Sequence, residues 1–113
     1  MTLKVNLNDV EMKPHPKFEG VKIGFITTKE RHPELSIIIL EIAPGVEVPT
    51  HTHEREIDSI LTLEGEGEVF INNNWQPFKK GDVIVVGTKE VHGVRVKGNS
   101  PAKCYIVHAP ALW

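Results

Sequence analysis

Short apolar segments, broken at close intervals by glycine, proline and asparagine, restrict this chain to very few architectures. No stretch of ten or more residues carries the periodicity of a helix. The segments instead read as strands. Gly20 to Thr28 alternates apolar and other residues, and Leu35 to Ala43 is nearly all apolar, as in a strand covered on both faces. Val46 to His53 contains Pro49, which a sheet tolerates only at an edge or bulge. Ile57 to Leu63, Glu68 to Ile71, Trp75 to Phe78, Val83 to Val86, His92 to Val96 and Ala102 to His108 complete the series. Pro44-Gly45, Glu64 to Gly67, Lys79 to Asp82 and Lys97 to Pro101 supply turns. Asn72-Asn73-Asn74 is a hairpin signal, because asparagine accepts the left-handed conformation of hairpin turns. Many short strands with frequent turns predict an all-β sandwich or barrel, which also protects strand edges.

With 113 residues the chain has material for one core. Residues 20–113 are expected to form the barrel. Residues 1–19 are expected to form a short N-terminal strand, on the alternation of Leu3, Val5 and Leu7, followed by an extended arm where Pro14 and Pro16 forbid a helix. Thirteen basic and 15 acidic residues are spread along the chain, with no basic face for nucleic acid and no polybasic membrane patch. The longest apolar run is far below the ~20 residues of a membrane span, and the N-terminus lacks the apolar core of a signal peptide. A single cysteine, Cys104, lies in an apolar alternating segment and reads as a small buried residue. The expectation is a cytoplasmic protein without nucleic-acid or membrane partners.

The chemistry-bearing residues gather between Gly45 and Gly65, with one outlier. His51 and His53 are two apart, so in a strand both imidazoles face one side and can grip one ion. Facing outward they would simply be solvated. Asp58 stands in an otherwise apolar segment, where a buried carboxylate is costly unless paired or metal-bound; Arg55 and Arg95 are alternative partners. His92 follows a loop and opens a strand, a place for a ligand or a plain surface histidine. Glu54 and Glu56 read as solvated loop residues and His32 as a turn residue, while His108, ending the last strand, reads as having no functional role, with a place at the pocket mouth as the alternative. Tyr105 is a core or rim aromatic, with a pocket donor as the alternative.

Taken together these residues resemble the cupin superfamily. Its first motif, G-x5-H-x-H-x3,4-E-x6-G, is matched by Gly45, His51, His53, Asp58 and Gly65 in every spacing, with Asp for Glu at the acidic position. Its second motif, G-x5-P-x-G-x2-H-x3-N, keeps Gly81 and His92, while Gly87, Lys89 and Val96 replace the usual Pro, Gly and Asn. The resemblance covers roughly residues 35 to 109. It implies a double-stranded β-helix, a jelly-roll barrel without substantial helix, whose pocket holds a divalent transition metal (Mn, Fe, Zn, Ni or Cu) on His51, His53, Asp58 and His92. Aspartate is one methylene shorter than glutamate, so Asp58 either reaches the metal through an inward backbone or orients a ligand histidine from behind. The family includes dioxygenases, decarboxylases, isomerases and lyases. The resemblance thus implies a metalloprotein accepting a small polar organic ligand, either catalytic or a non-catalytic binding module. It also implies a homodimer built by exchange of N-terminal strands, which the Pro14-His15-Pro16 arm and Trp113 suit.

Overall fold

The computed structural model describes residues 2–113. Ten strands follow in order: β1 (Lys13–Pro14), β2 (Val21–Thr27), β3 (Ser36–Ile42), β4 (Glu47–His51), β5 (Ile57–Glu64), β6 (Glu66–Ile71), β7 (Asn74–Lys79), β8 (Val83–Val86), β9 (His92–Arg95) and β10 (Ala102–Ala109). They form a six-stranded sheet, β1-β2-β3-β10-β5-β8, and a four-stranded sheet, β4-β9-β6-β7, with every pairing antiparallel. The all-β double-stranded β-helix expected from the sequence is the fold observed. Among the described residues, the one helical element is a 3-10 turn at Leu7–Asp9.

The strand expected at Leu3 to Leu7 does not form. Asn6 accepts a hydrogen bond from the Asn8 backbone N–H at 2.9 Å and starts the 3-10 turn instead. Asparagine so placed offers the backbone a local partner that competes with strand pairing. The strand of this region is β1, which pairs with β2 of the same chain. Residues 10–12 lie close over β2, where Gly24 leaves the room: a Cβ there would stand 2.6 Å from both Met12 Sδ and Val10 Cγ1. This cover accounts for Ile39, on the outer face of β3, being 1% exposed, while Ile38, on the inward face, is 2% exposed.

The hairpin between β6 and β7 turns on Asn72 and Asn73, with φ of 53° and 63°, the double left-handed geometry of the favoured two-residue turn. Gly65, between β5 and β6, has φ of 85°, and a Cβ there would come within 2.7 Å of the Ala102 backbone. Only glycine satisfies both demands. Pro49 lies on β4, an edge strand whose pairing with β9 shifts register between Val48 and His51, as a strand proline requires.

The core follows the two-residue period of the strands. In the six-stranded sheet the inward residues align in cross-strand rows. Ile38, Ile106 and Ile60 make one row, Leu40, Cys104 and Thr62 a second, and Ser36, His108 and Asp58 a third. Two rows are largely apolar; the third is entirely polar and buried. Facing them from the other sheet are Val48, Val69 and Val94.

Candidate metal centre

The polar row meets the histidines of the opposite sheet. His51 ends β4 and His92 opens β9, and the two are register partners with ring centroids 4.3 Å apart. His53 lies two residues past β4, outside the strand that the sequence extended through it, yet its ring is 5.0 Å from that of His51 and 5.1 Å from that of His92. A backbone bond from Lys89 N–H to the His53 carbonyl, 2.8 Å, ties this loop to the one before β9. From the six-stranded sheet, β5 contributes Asp58 and β10 contributes His108, again register partners. Thus two sheets, and segments far apart in sequence, bring five titratable side chains to one place.

Asp58 is the centre of this group. Its Oδ2 lies 3.1 Å from His92 Nε2 and 3.4 Å from His53 Nε2, and its Oδ1 lies 3.1 Å from His108 Nε2. Neither arginine considered from the sequence takes part. Arg95 donates to Glu68 at 2.9 Å and stacks its guanidinium over Trp75 at 4.0 Å, on the other sheet. Asp58 is 3% exposed. Burial pushes its carboxyl toward neutrality, but the contacts from His108, His53 and His92 outweigh it and hold the group well below the usual carboxylate range.

The ring nitrogens are oriented for ligation. His51 Nδ1 donates to the Pro49 carbonyl at 2.8 Å, and His92 Nδ1 donates to the Glu90 carbonyl at 3.0 Å. Donation from Nδ1 leaves Nε2 of each neutral ring with its lone pair toward the cluster. Burial lowers the pKa of His51, with His92 and His53 adding to the effect, so this ring favours the neutral form a metal needs. At His92 burial acts the same way, but the Asp58 carboxylate and the Glu90 carbonyl prevail and raise its pKa.

The donor set fits a metal ion. The ligand atoms of His51, His53 and His92 lie within 4.8 Å of one another, and so do those of His53, Asp58 and His108. Two donors each about 2.1 Å from one ion, at 90° to 109°, stand roughly 3.0–3.4 Å apart. The separations of Asp58 Oδ2 from His92 and His53 fall at those limits. With His92 Nδ1 committed to a carbonyl, its Nε2 can face the carboxylate only as an imidazolium or with a cation between them.

A cavity of about 390 Å³ opens beside the cluster, lined by His51, His53, Asp58, His92 and His108 on one side and by β3, β5 and β10 on another. A larger hollow of about 650 Å³ on the outer face of the six-stranded sheet takes Leu3, Val5, Leu7 and Tyr105, and none of the five clustered residues. Tyr105 is therefore a rim aromatic there and lies away from the candidate centre. His32 is an exposed turn residue, as expected. His15 instead lines the cavity, its Nδ1 accepting from the N–H groups of Lys17 and Phe18 at 3.0 and 3.2 Å.

All four residues singled out by spacing converge. The residue that spacing missed is His108. Its inward phase in Ala102 to His108, opposite the phase of Tyr105, was the available signal; its partner across the sheet was not readable from one strand.

Comparison with known proteins agrees with the fold. The chain is 29% identical over 104 residues to (S)-ureidoglycine aminohydrolase of Escherichia coli (strain K12), covering 89% of this chain and 39% of that protein. It is 34% identical over 61 residues to an oxalate-binding protein of Thermotoga maritima, covering 54% of this chain and 50% of that one. The chain thus spans half or less of the curated relatives it matches. Among solved structures, one described as a predicted oxalate decarboxylase from Thermotoga maritima superposes with a TM-score of 0.86 at 24% identity, covering 96% of this chain and 99% of that one. A polyketide cyclase from Streptomyces resistomycificus superposes at 0.83 and 16% identity, covering 100% and 87%. A cupin domain model matches residues 38–108, which contain all five clustered side chains, and the chain belongs to the cupin domain family.

Proposed function

We propose that this protein is a small cupin metalloprotein that holds one divalent transition metal on His51, His53, His92 and Asp58 and presents it to a small organic molecule in the adjoining cavity. The observation that carries this reading is the set of oriented donors: Nδ1 of His51 and His92 is committed to backbone carbonyls, and Asp58 Oδ2 sits at ligand spacing from two imidazoles. Asp58 Oδ2 is the direct ligand in this reading, and His108 holds the other carboxylate oxygen. That contact lets the shorter aspartate serve where the family commonly has glutamate. A bound divalent metal would supply Lewis-acid polarisation of a ligand oxygen. The chain's own contribution is orientation: the carbonyl-anchored rings fix the donor directions and the buried carboxylate adds negative charge to the site. The names of the curated relatives, an aminohydrolase and an oxalate-binding protein, support a small-molecule ligand and are compatible with turnover or simple binding.

Metal analysis of purified and reconstituted protein tests the reading. One equivalent of metal is expected, and His51→Ala should lose it while keeping the β-sheet circular dichroism. No bound metal after reconstitution overturns the reading; stoichiometric metal in His51→Ala overturns the ligand assignment.

We also propose a homodimer in a cytoplasmic, reducing setting. The setting rests on Cys104, a free buried thiol. The N-terminal arm and Trp113, which suit strand exchange, are engaged within the chain: β1 pairs with β2, and Trp113 packs on Phe25 and His15. The surface that favours a second copy is β8, an edge strand with Val83 and Val85 exposed at 62% and 67%. Among the described residues, no helix is long and apolar enough to cross a membrane.

A further inference from the structure

The cavity is divided by chemistry. One side is the His–Asp cluster; the remainder is mostly aliphatic and aromatic, built by Ile38, Ile60, Ile106, Leu40, Phe18 and Trp113, with His15, Lys17 and Thr52 as its polar members. The three isoleucines form a single cross-strand row directly next to the row holding Asp58 and His108. A molecule reaching the cluster therefore lies along apolar wall as soon as it leaves the metal ligands. Cys104, in the row beyond, adds no charge: burial pushes its thiol up to about 11.

Cationic groups are almost absent from this lining. Among the described residues, Lys17 is the one Lys or Arg that lines the cavity. It is exposed, and its Nζ lies 5.6 Å from the Phe18 ring. A second carboxylate placed on the isoleucine row would be buried there without a partner, which is unfavourable. A ligand consisting only of metal-binding oxygens would leave the isoleucine row facing water. The volume of about 390 Å³ is near the lower end for ligand pockets, so the body is short.

We propose that the natural ligand class is a single-headed amphiphile: a carboxylate or similar oxygen group bound at the metal, carrying a short apolar body that packs on the Ile38–Ile106–Ile60 row. The proposal rests on the metal-centre reading above and adds the chemistry of the part of the ligand that does not touch the metal. It separates this protein from a receptor for a compact dianion such as oxalate, the ligand in the name of one relative.

Calorimetric titration of the metal-reconstituted protein with straight-chain monocarboxylates of increasing length, and with oxalate, tests it. Affinity should rise roughly fourfold per methylene until the cavity is full, and the best chain should bind tighter than oxalate. Ile60→Asn should flatten this dependence. Because Ile60→Asn can fail to fold, the chain-length series on the unaltered protein is the deciding measurement. With metal confirmed in the same sample, a flat series, or oxalate binding tightest, overturns the ligand class and leaves the metal centre standing. A sample that takes up no metal overturns both.

Discussion

At the scale of single residues, Asp58 and His108 carry the most information. A carboxylate at 3% exposure would cost several kcal/mol if unpaired, and three imidazoles surround this one. His108 is itself 4% exposed, and its Nδ1 has no hydrogen-bond partner within the protein. Its other nitrogen sits 3.1 Å from Asp58 Oδ1, an ion-pair contact to an oxygen that likewise has no hydrogen-bond partner within the protein. In the proposed centre, His108 therefore positions the carboxylate without touching the metal. His108→Ala should weaken metal binding by about 10- to 100-fold, the usual effect of removing such a support, while His108→Gln, which still carries an N–H donor, should lose less. Competition with a chromogenic chelator measures both. Unchanged affinity in His108→Ala would remove His108 from the centre.

At the scale of elements, the loop between β8 and β9 is where the chain departs from the family's second motif and where it stores strain. Lys89 stands where glycine is usual and has φ of 63°, a left-handed conformation that costs a side-chain-bearing residue roughly 1–2 kcal/mol. The conformation is kept because the Lys89 N–H reaches the His53 carbonyl at 2.8 Å, while Glu90 Oε1 accepts from the Gly87 N–H. The loop thus fixes the backbone of one candidate ligand and leads directly into another, His92. Lys89→Gly relieves the strain without touching the backbone bond. After the flexibility that glycine adds to the unfolded chain, it should stabilise the protein by about 1 kcal/mol in urea denaturation. A destabilised variant would show that the lysine side chain contributes a contact that outweighs the strain.

At the scale of the whole molecule, the candidate centre joins two sheets. His51, His53 and His92 belong to β4, β9 and the loop after β4, on the four-stranded side; Asp58 and His108 belong to β5 and β10 of the six-stranded sheet. An ion held between them would link the sheets at the polar end of the inward rows. The opposite concern is the open edge at β8, where unpaired backbone groups and two exposed valines meet solvent. Sedimentation at micromolar concentration should find a dimer, and Val85→Lys, placing charge on that edge, should shift it to monomer without loss of bound metal. A monomeric unaltered protein would refute the dimer, and a Val85→Lys dimer would place the interface elsewhere.

The sequence by itself determined β2 to β10 as strands, because the two-residue period, Pro49, the paired asparagines and the turn glycines act through local geometry. It determined that His51, His53, Asp58 and His92 stand at a family's spacing, because spacing is a property of the chain. Two things were decided only by tertiary structure. Leu3 to Leu7 alternated like a strand, yet Asn6 capped a 3-10 turn and the pairing with β2 went to Lys13–Pro14. His108 looked like the end of a strand, and only the pairing of β10 with β5 set it against Asp58. Antiparallel register brings together residues with no relation in sequence, and the partner of a buried charge is a matter of register.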